Sequence, residues 1–325
     1  MKKVDPFAGG MSDTTNSRSA DTPVKKTRPL WMTIGILFLV FFVVIPLFST
    51  FLFDEKNIGN VAVIPIHGVI TADGEASYMY GSTVSSWQIV DYIKAADKNT
   101  NVKVILLEIN SPGGSPVASD EIATAVKQAQ KPVVALIRET GASGGYWIAS
   151  AADHIIAHKM SLTGSIGVVA SHLEFSGLME KYGVGYERLI AGEVKDMGTP
   201  FKKMSAYETA IMQKKLDILH DYFIDEVAAN RKLAREKVKK LATGEVYLGV
   251  EAKQLGLVDE LGDYAVAEEY VKKTYALDSV EYMRYEPEKG LLDVLLGVMN
   301  EFSFHVGRGF GASVISQEQS TIMLK

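Results

Sequence analysis

The sequence predicts an α/β fold of repeated strand–turn–helix units, preceded by one N-terminal transmembrane helix. Three observations predict it. Short apolar runs of strand length alternate with segments whose apolar residues recur at helical spacing, and such alternation implies mostly parallel pairing. Glycine-rich turns join strands to helices. One run of 24 residues, 30–53, carries no charge. Composition agrees: among 325 residues, 47% are hydrophobic and 22% charged, as in a folded chain rather than a disordered one. Cysteine is absent, which excludes a disulfide scaffold, cysteine-ligated metal centres and a thiol nucleophile.

The N-terminal segment comes first. Residues 1–29 are rich in Gly, Ser, Thr and Asp and read as a disordered tail. They carry six Lys/Arg (Lys2, Lys3, Arg18, Lys25, Lys26, Arg28) against three Asp. With a net charge of −5 for the whole chain, the remainder carries −8. So acidic a body is poorly suited to nucleic acid, whose phosphates demand a basic surface. As a helix, 30–53 would rise about 36 Å, enough to cross a hydrocarbon core of about 30 Å with some tilt. The run ends in Phe-Leu-Phe followed by Asp54 and Glu55, without a small-residue cleavage site, so it reads as an uncleaved anchor. Pro46 is tolerated in a membrane helix. Basic residues before the run place residues 1–29 in the cytoplasm and the body outside it.

In the body, 61–66 is an apolar strand closed by His67-Gly68. Residues 84–96 have helical spacing, through Val84, Trp87, Ile89, Val90 and Ile93. A buried strand over 103–109 ends in Asn110-Ser111-Pro112-Gly113-Gly114. Ser115-Pro116 then opens a helix reaching about residue 130, with Ser suited to the N-cap and Pro to the first turn. Strand 132–137 and helix 143–152 follow, then strands 154–157, 166–170 and 186–190. From Ser205 the pattern becomes helical. Ser205-Ala206-Tyr207-Glu208 is a capping box. The helix after it puts Ile211, Met212, Leu216, Leu219, Phe223 and Val227 on one face. A second helix spans 235–241. Residues 291–304 are a further amphipathic segment, and the last dozen residues form a loose tail.

Two glycine-rich turns carry the chemistry. Asn110–Gly114 and Gly141-Ala142-Ser143-Gly144-Gly145 each follow a buried strand. Glycine there admits positive φ and lets backbone N–H groups face a ligand unobstructed. Ser143 would sit at a helix N-terminus, where an exposed Oγ and nearby backbone donors suit a serine nucleophile. Either turn alone is also a common connection without chemistry. A base is needed as well. His67, His154, His158, His172, His220 and His305 stand in no triad-like context. Lys195, in the loop Gly192-Glu193-Val194-Lys195-Asp196, offers another: a lysine serves as base when desolvation favours its neutral form. A lysine in a loop is ordinarily just solvated.

Taken together these residues resemble the bacterial signal peptide peptidase A family, membrane-anchored Ser–Lys proteases of the ClpP/crotonase-like fold. The resemblance covers nearly all of 60–275. It rests on Asn-Ser-Pro-Gly-Gly (110–114), Ala-Ser-Gly-Gly-Tyr (142–146), Thr-Gly-Ser-Ile-Gly (163–167), Gly-Glu-Val-Lys-Asp (192–196), and a stretch from Gly244-Glu245-Val246-Tyr247 to Gly262. The length is similar to the short form, in which one domain carries both dyad residues; the long form shares them between tandem domains. The implied organisation is a tail over 1–29, the span over 30–53, a protease domain over 54–280 and a C-terminal tail over 281–325.

The resemblance also implies roles. Ser143 is the nucleophile, Lys195 the general base and Ser165 the serine that orients the lysine. Gly114 and Gly144 supply backbone oxyanion donors. No metal or cofactor is required. Expected substrates are remnant signal peptides and other apolar peptides, handled at the cell inner membrane by a homo-oligomeric, dome-shaped ring, with no nucleic-acid partner. Two rivals stay open. A crotonase-type acyl-CoA enzyme would share the glycine-rich turns, and a catalytically silent relative would act as a peptide-binding scaffold.

Overall fold

The computed structural model describes residues 30–44, 59–74 and 82–286, and divides into two compact units, Met1–Lys56 and Asn57–Lys325. In the first unit, α1 (Leu30–Leu39) continues as a π-helical turn over Val40–Val44. No helix among the described residues is long and apolar enough to cross a membrane. Residues 45–53 of the expected span, with Pro46, lie outside the described residues, as do 1–29 and the segment 291–304.

The second unit begins β1 (Val61–His67), β2 (Val69–Thr71), β3 (Thr83–Ser85), α2 (Ser86–Lys98), β4 (Val104–Ser111), α3 (Pro116–Gln128), β5 (Val133–Ala142), α4 (Gly144–Ser150), β6 (His154–Ala157) and β7 (Leu162–Gly164). An arm over 165–205 holds the short α5 (Ser176–Lys181). Then come α6 (Ala206–Arg231), α7 (Arg235–Leu241), β8 (Val246–Leu248), α8 (Gly249–Leu255), β9 (Glu260–Leu261), α9 (Tyr264–Thr274) and β10 (Tyr282–Arg284).

The main sheet runs β10-β1-β4-β5-β6-β9, every pair parallel. The pleat sends alternate residues to opposite faces. Ile105, Leu107 and Ile109 of β4 join the larger core with residues of α2, α3, α4 and α6. Val104 and Leu106 face the other way, against Ala267 and Val271 of α9. Helices therefore cover both faces, which is why β4 opens on an unbroken apolar run, Val104–Leu107, instead of an alternating one. Each fully buried Ile, Leu or Val contributes about 1.5–3 kcal/mol.

Past the tip of this sheet, β7 pairs in parallel with the end of β5, matching Gly141 with Thr163 and Ala142 with Gly164. The antiparallel β8 continues it. The glycine-rich end of β5 is thus held between β4, where Ser111 pairs with Gly141, and β7.

Four expectations need correction. No strand forms over 166–170: the strand lies earlier, at Leu162–Gly164, and Ser165 at φ 50° turns the chain out of the ladder. No strand forms over 186–190, because that stretch lies in the exposed arm without a neighbouring strand to pair with. Val84 belongs to β3, paired with β2, so the helix begins two residues later. Ser115 occupies the N-cap of α3 but its side chain makes no capping bond; its backbone N–H donates to Ile70 O instead. The capping box at Ser205 and Glu208 forms as expected.

Candidate active site

The two glycine-rich turns touch. Gly113 has φ 104°, and a Cβ there would lie 2.7 Å from Gly144 N and 2.8 Å from Ser143 Cβ. Gly114 is equally crowded. Ile70 N donates to Gly113 O at 2.9 Å, Ser115 N donates to Ile70 O at 2.8 Å, and a Cβ on Gly114 would sit 2.0 Å from that oxygen. Only glycine lets the three backbones come so close.

Ser143 follows β5 with φ 52° and ψ −123°, a conformation that costs a non-glycine residue about 1–3 kcal/mol. Two backbone bonds hold it: Ser143 N donates to Gly164 O at 2.8 Å, and Trp147 N donates to Ser143 O at 2.9 Å. Its side chain makes no capping bond to α4, every residue of which is buried. Among the described residues, the N–H groups of Gly114 and Gly144 donate to nothing. Two free donors thus lie beside an unengaged serine hydroxyl.

Ser165 stands at the end of β7. Its N–H donates to Glu245 O at 2.8 Å and its Oγ donates to Gly244 O at 3.3 Å. Ser143 and Ser165 share a cleft of about 450 Å³, walled by Pro112, Val168, Val169 and Gly244 and by Gln213, Leu216, Asp217 and His220 of α6.

Lys195 lies elsewhere. It is exposed in the turn at 192–199 and is not among the residues lining the cleft. Its backbone N–H donates to Gly192 O at 3.1 Å. The next residue, Asp196, pairs with Arg188 at 2.5 Å, which holds its carboxyl below the usual carboxylate range and pins the turn to the preceding stretch. The arm exposes many apolar side chains, Val169 at 87% and Leu189 at 88% foremost.

The histidines scatter. His67 Nε2 lies 3.1 Å from Glu108 Oε1, and the ring of His154 stacks on Tyr270 with centroids 3.8 Å apart. His220 lines the cleft. The α6 wall was not anticipated. Its signal is a polar stripe, Gln213, Asp217 and His220, at i, i+4 and i+7, on a helix of which only the apolar face was singled out.

Comparison with known proteins places this geometry. The model of Peptidase family S49 matches residues 125–278, and that of the NfeD1b N-terminal domain matches residues 54–177. A putative protease of Methanocaldococcus jannaschii is 34% identical over 234 residues, covering 71% of this chain and 74% of that one. A putative signal peptide peptidase SppA of Enterococcus faecium is 34% identical over 237 residues, covering 71% and 69%. The chain belongs to the signal peptide peptidase A family. As a member it is a serine protease, and its parallel-rich α/β sheet fits the S49 fold. Protease 4 of Haemophilus influenzae is 35% identical over 215 residues, covering 65% of this chain but 34% of that longer one. The S49 match spans Ser143, Gly144, Ser165 and Lys195; Gly114 precedes it.

Proposed function

We propose that this S49 protein is a membrane-anchored endopeptidase that cuts apolar peptides, remnant signal peptides among them, through an acyl-enzyme on Ser143. One observation carries the reading: Ser143 is held at positive φ, its hydroxyl unengaged, beside the free N–H groups of Gly114 and Gly144. Ser143 Oγ attacks the peptide carbonyl carbon as Lys195 Nζ takes its proton. The oxyanion accepts from the Gly114 and Gly144 N–H groups, each such donor being worth roughly 10²–10³ in rate. The C–N bond breaks as Lys195 returns the proton to the leaving amine. Water then attacks the ester carbonyl as Lys195 takes its proton; the acyl C–Oγ bond breaks, Lys195 returns the proton to Ser143 Oγ, and the acid product leaves. Ser165 orients Lys195.

A homo-oligomeric ring supports this chemistry. The arm carrying Lys195 exposes apolar side chains that a second copy would cover, and a cleft without a lysine lies beside Ser143. Assembly brings the two together. The apolar members of the cleft, Pro112, Val168, Val169 and Leu216, suit apolar peptides.

The uncharged run 30–53 is the membrane tether, leaving residues 1–29 in the cytoplasm and the protease domain on the far side of the inner membrane. A reporter active only in the cytoplasm, fused after Lys325, should be silent; a bright signal would overturn the orientation. Modification of Ser143 by a serine-reactive phosphonate, absent from Ser143→Ala, tests the catalytic reading.

A further inference from the structure

Lys195 is exposed, yet the turn that carries it is closely built. One guanidinium holds that turn on both sides of the lysine. Arg188 Nε donates to Asp196 Oδ2 at 2.5 Å and Arg188 Nη2 donates to Asp196 Oδ1 at 2.6 Å, a two-pronged bond. The same Nη2 donates to Glu193 O at 3.0 Å. Residues 193 and 196 straddle Lys195. Inside the turn, Met197 N donates to Val194 O at 3.1 Å and Thr199 N donates to Asp196 O at 3.0 Å.

The clasp is also tied to α6. Lys202 Nζ lies 3.8 Å from Asp196 Oδ1 and 2.6 Å from Glu208 Oε1. Glu208 is buried in the first turn of that helix, where its Oε2 accepts from Ser205 N at 2.9 Å. A buried carboxylate is kept only when it is paired, so this end is a fixed point. Charged contacts thus run from Glu208 through Lys202 and Asp196 to Arg188. Exposed ion pairs add little to stability, which makes the outer links a poor brace for the fold. What a two-pronged arginine bond does supply is orientation, which a point-like ammonium would not.

We propose that Arg188 is the positioning residue of the base: its fork on Asp196 and its bond to Glu193 O set the turn so that Lys195 is presented to a Ser143 cleft in one orientation. This rests on the reading of Lys195 as the general base and names what aims it. Ser165 lines the cleft and acts on the lysine only once the lysine has entered. Arg188 acts before that, so the ordering of the turn is not a cost met at each encounter.

The test uses the full-length chain. Arg188→Ala should lower kcat on an apolar peptide by roughly 10- to 100-fold, as a misplaced catalytic group does, while KM stays within about 2-fold. The KM expectation follows because Arg188 does not line the cleft. The melting temperature should stay within about 2 °C of the wild type. Arg188→Lys keeps the charge without the fork and should recover only part of the loss. Asp196→Asn should match Arg188→Ala, and the double variant should fall no further, since both break the same contact. Rates of phosphonate modification at Ser143 decide whether the effect passes through the lysine. Lys195→Ala should slow modification, and adding Arg188→Ala should slow it no more. Further slowing in that background would overturn the proposal, as would wild-type kcat in folded Arg188→Ala or full recovery by Arg188→Lys. Modification of Lys195→Ala at the wild-type rate would instead remove Lys195 from the mechanism, and the proposal with it. A failed base and a failed Arg188 therefore give different results.

Discussion

The backbone N–H of Ser143 donates to the carbonyl oxygen of Gly164 at 2.8 Å, and Gly164 is the residue before Ser165. One bond therefore ties the candidate nucleophile to the neighbour of the serine expected to orient its base. Both serines have positive φ, 52° and 50°, at the ends of neighbouring strands. Strain of this kind persists only where surrounding structure holds it, and here β4, β5, β7 and β8 do so.

That strain separates two substitutions at position 143. Ser143→Gly and Ser143→Ala should both abolish turnover, but glycine accepts φ 52° and alanine does not. The Gly variant should be the more stable by about 1 kcal/mol, or about 2–4 °C in melting temperature. An Ala variant as stable as the Gly variant would mean the serine backbone is unstrained.

At Gly114 the crowding is against Ile70 O, 2.0 Å from where a Cβ would stand. Gly114→Ala should lower the melting temperature and cut kcat/KM by roughly 10²–10³, as expected for a displaced oxyanion donor. Gly177→Ala is the control: nothing lies within 4 Å of a Cβ there, and both measurements should stay at wild-type values.

Replacement of Ser165 by alanine removes one 3.3 Å bond to Gly244 O on an exposed side, so stability should change little. Activity should nevertheless drop by roughly one to three orders of magnitude if Ser165 positions the lysine. Near-wild-type turnover by the folded variant would remove it from the mechanism.

Assembly makes its own prediction. Ser143→Ala and Lys195→Ala are each inactive alone. Mixed and reassembled, they should regain part of the wild-type rate, because intact Ser143 clefts then meet intact Lys195 arms. No recovery in mixtures shown by cross-linking to contain both variants would confine the dyad to one chain.

Acid stability depends on Glu108, nearly buried on β4. Contact with His67 holds its carboxyl down to about 2 from the usual 4.5, burial opposes this, and Tyr264 and Arg284 reinforce it. A depressed carboxylate contributes stability that is full above about 4.5 and lost as pH falls through about 2. Glu108→Gln should therefore melt below the wild type at pH 7, and the gap should narrow from pH 4.5 towards pH 2. A gap that is constant with pH would assign the loss to packing alone.

Much of this architecture is legible in the sequence where local signals and packing agree. The strand at 154–157 and the helix at 235–241 fall where periodicity puts them. Ser205 and Glu208 close their capping box as the spacing requires. The two glycine turns are legible because close backbone approach demands glycine. Failures have a common cause. Residues 186–190 read as a strand, but a strand needs a neighbour to bond, and the arm offers none. The α6 wall escaped because Leu216 reads as core on a helical wheel, while only the fold places its face beside Ser143. The base role of Lys195 rests on family resemblance alone, and its place on an exposed arm depends on tertiary structure.

The most direct test of the central claim is intact-mass analysis after treatment with a serine-reactive phosphonate, followed by peptide mapping. A single adduct should form on Ser143 in the wild type. It should be missing from Ser143→Ala and strongly slowed in Lys195→Arg, whose guanidinium stays charged and cannot accept the serine proton. An adduct that persists in Ser143→Ala, or forms at the wild-type rate in Lys195→Arg, would contradict a Ser143–Lys195 protease.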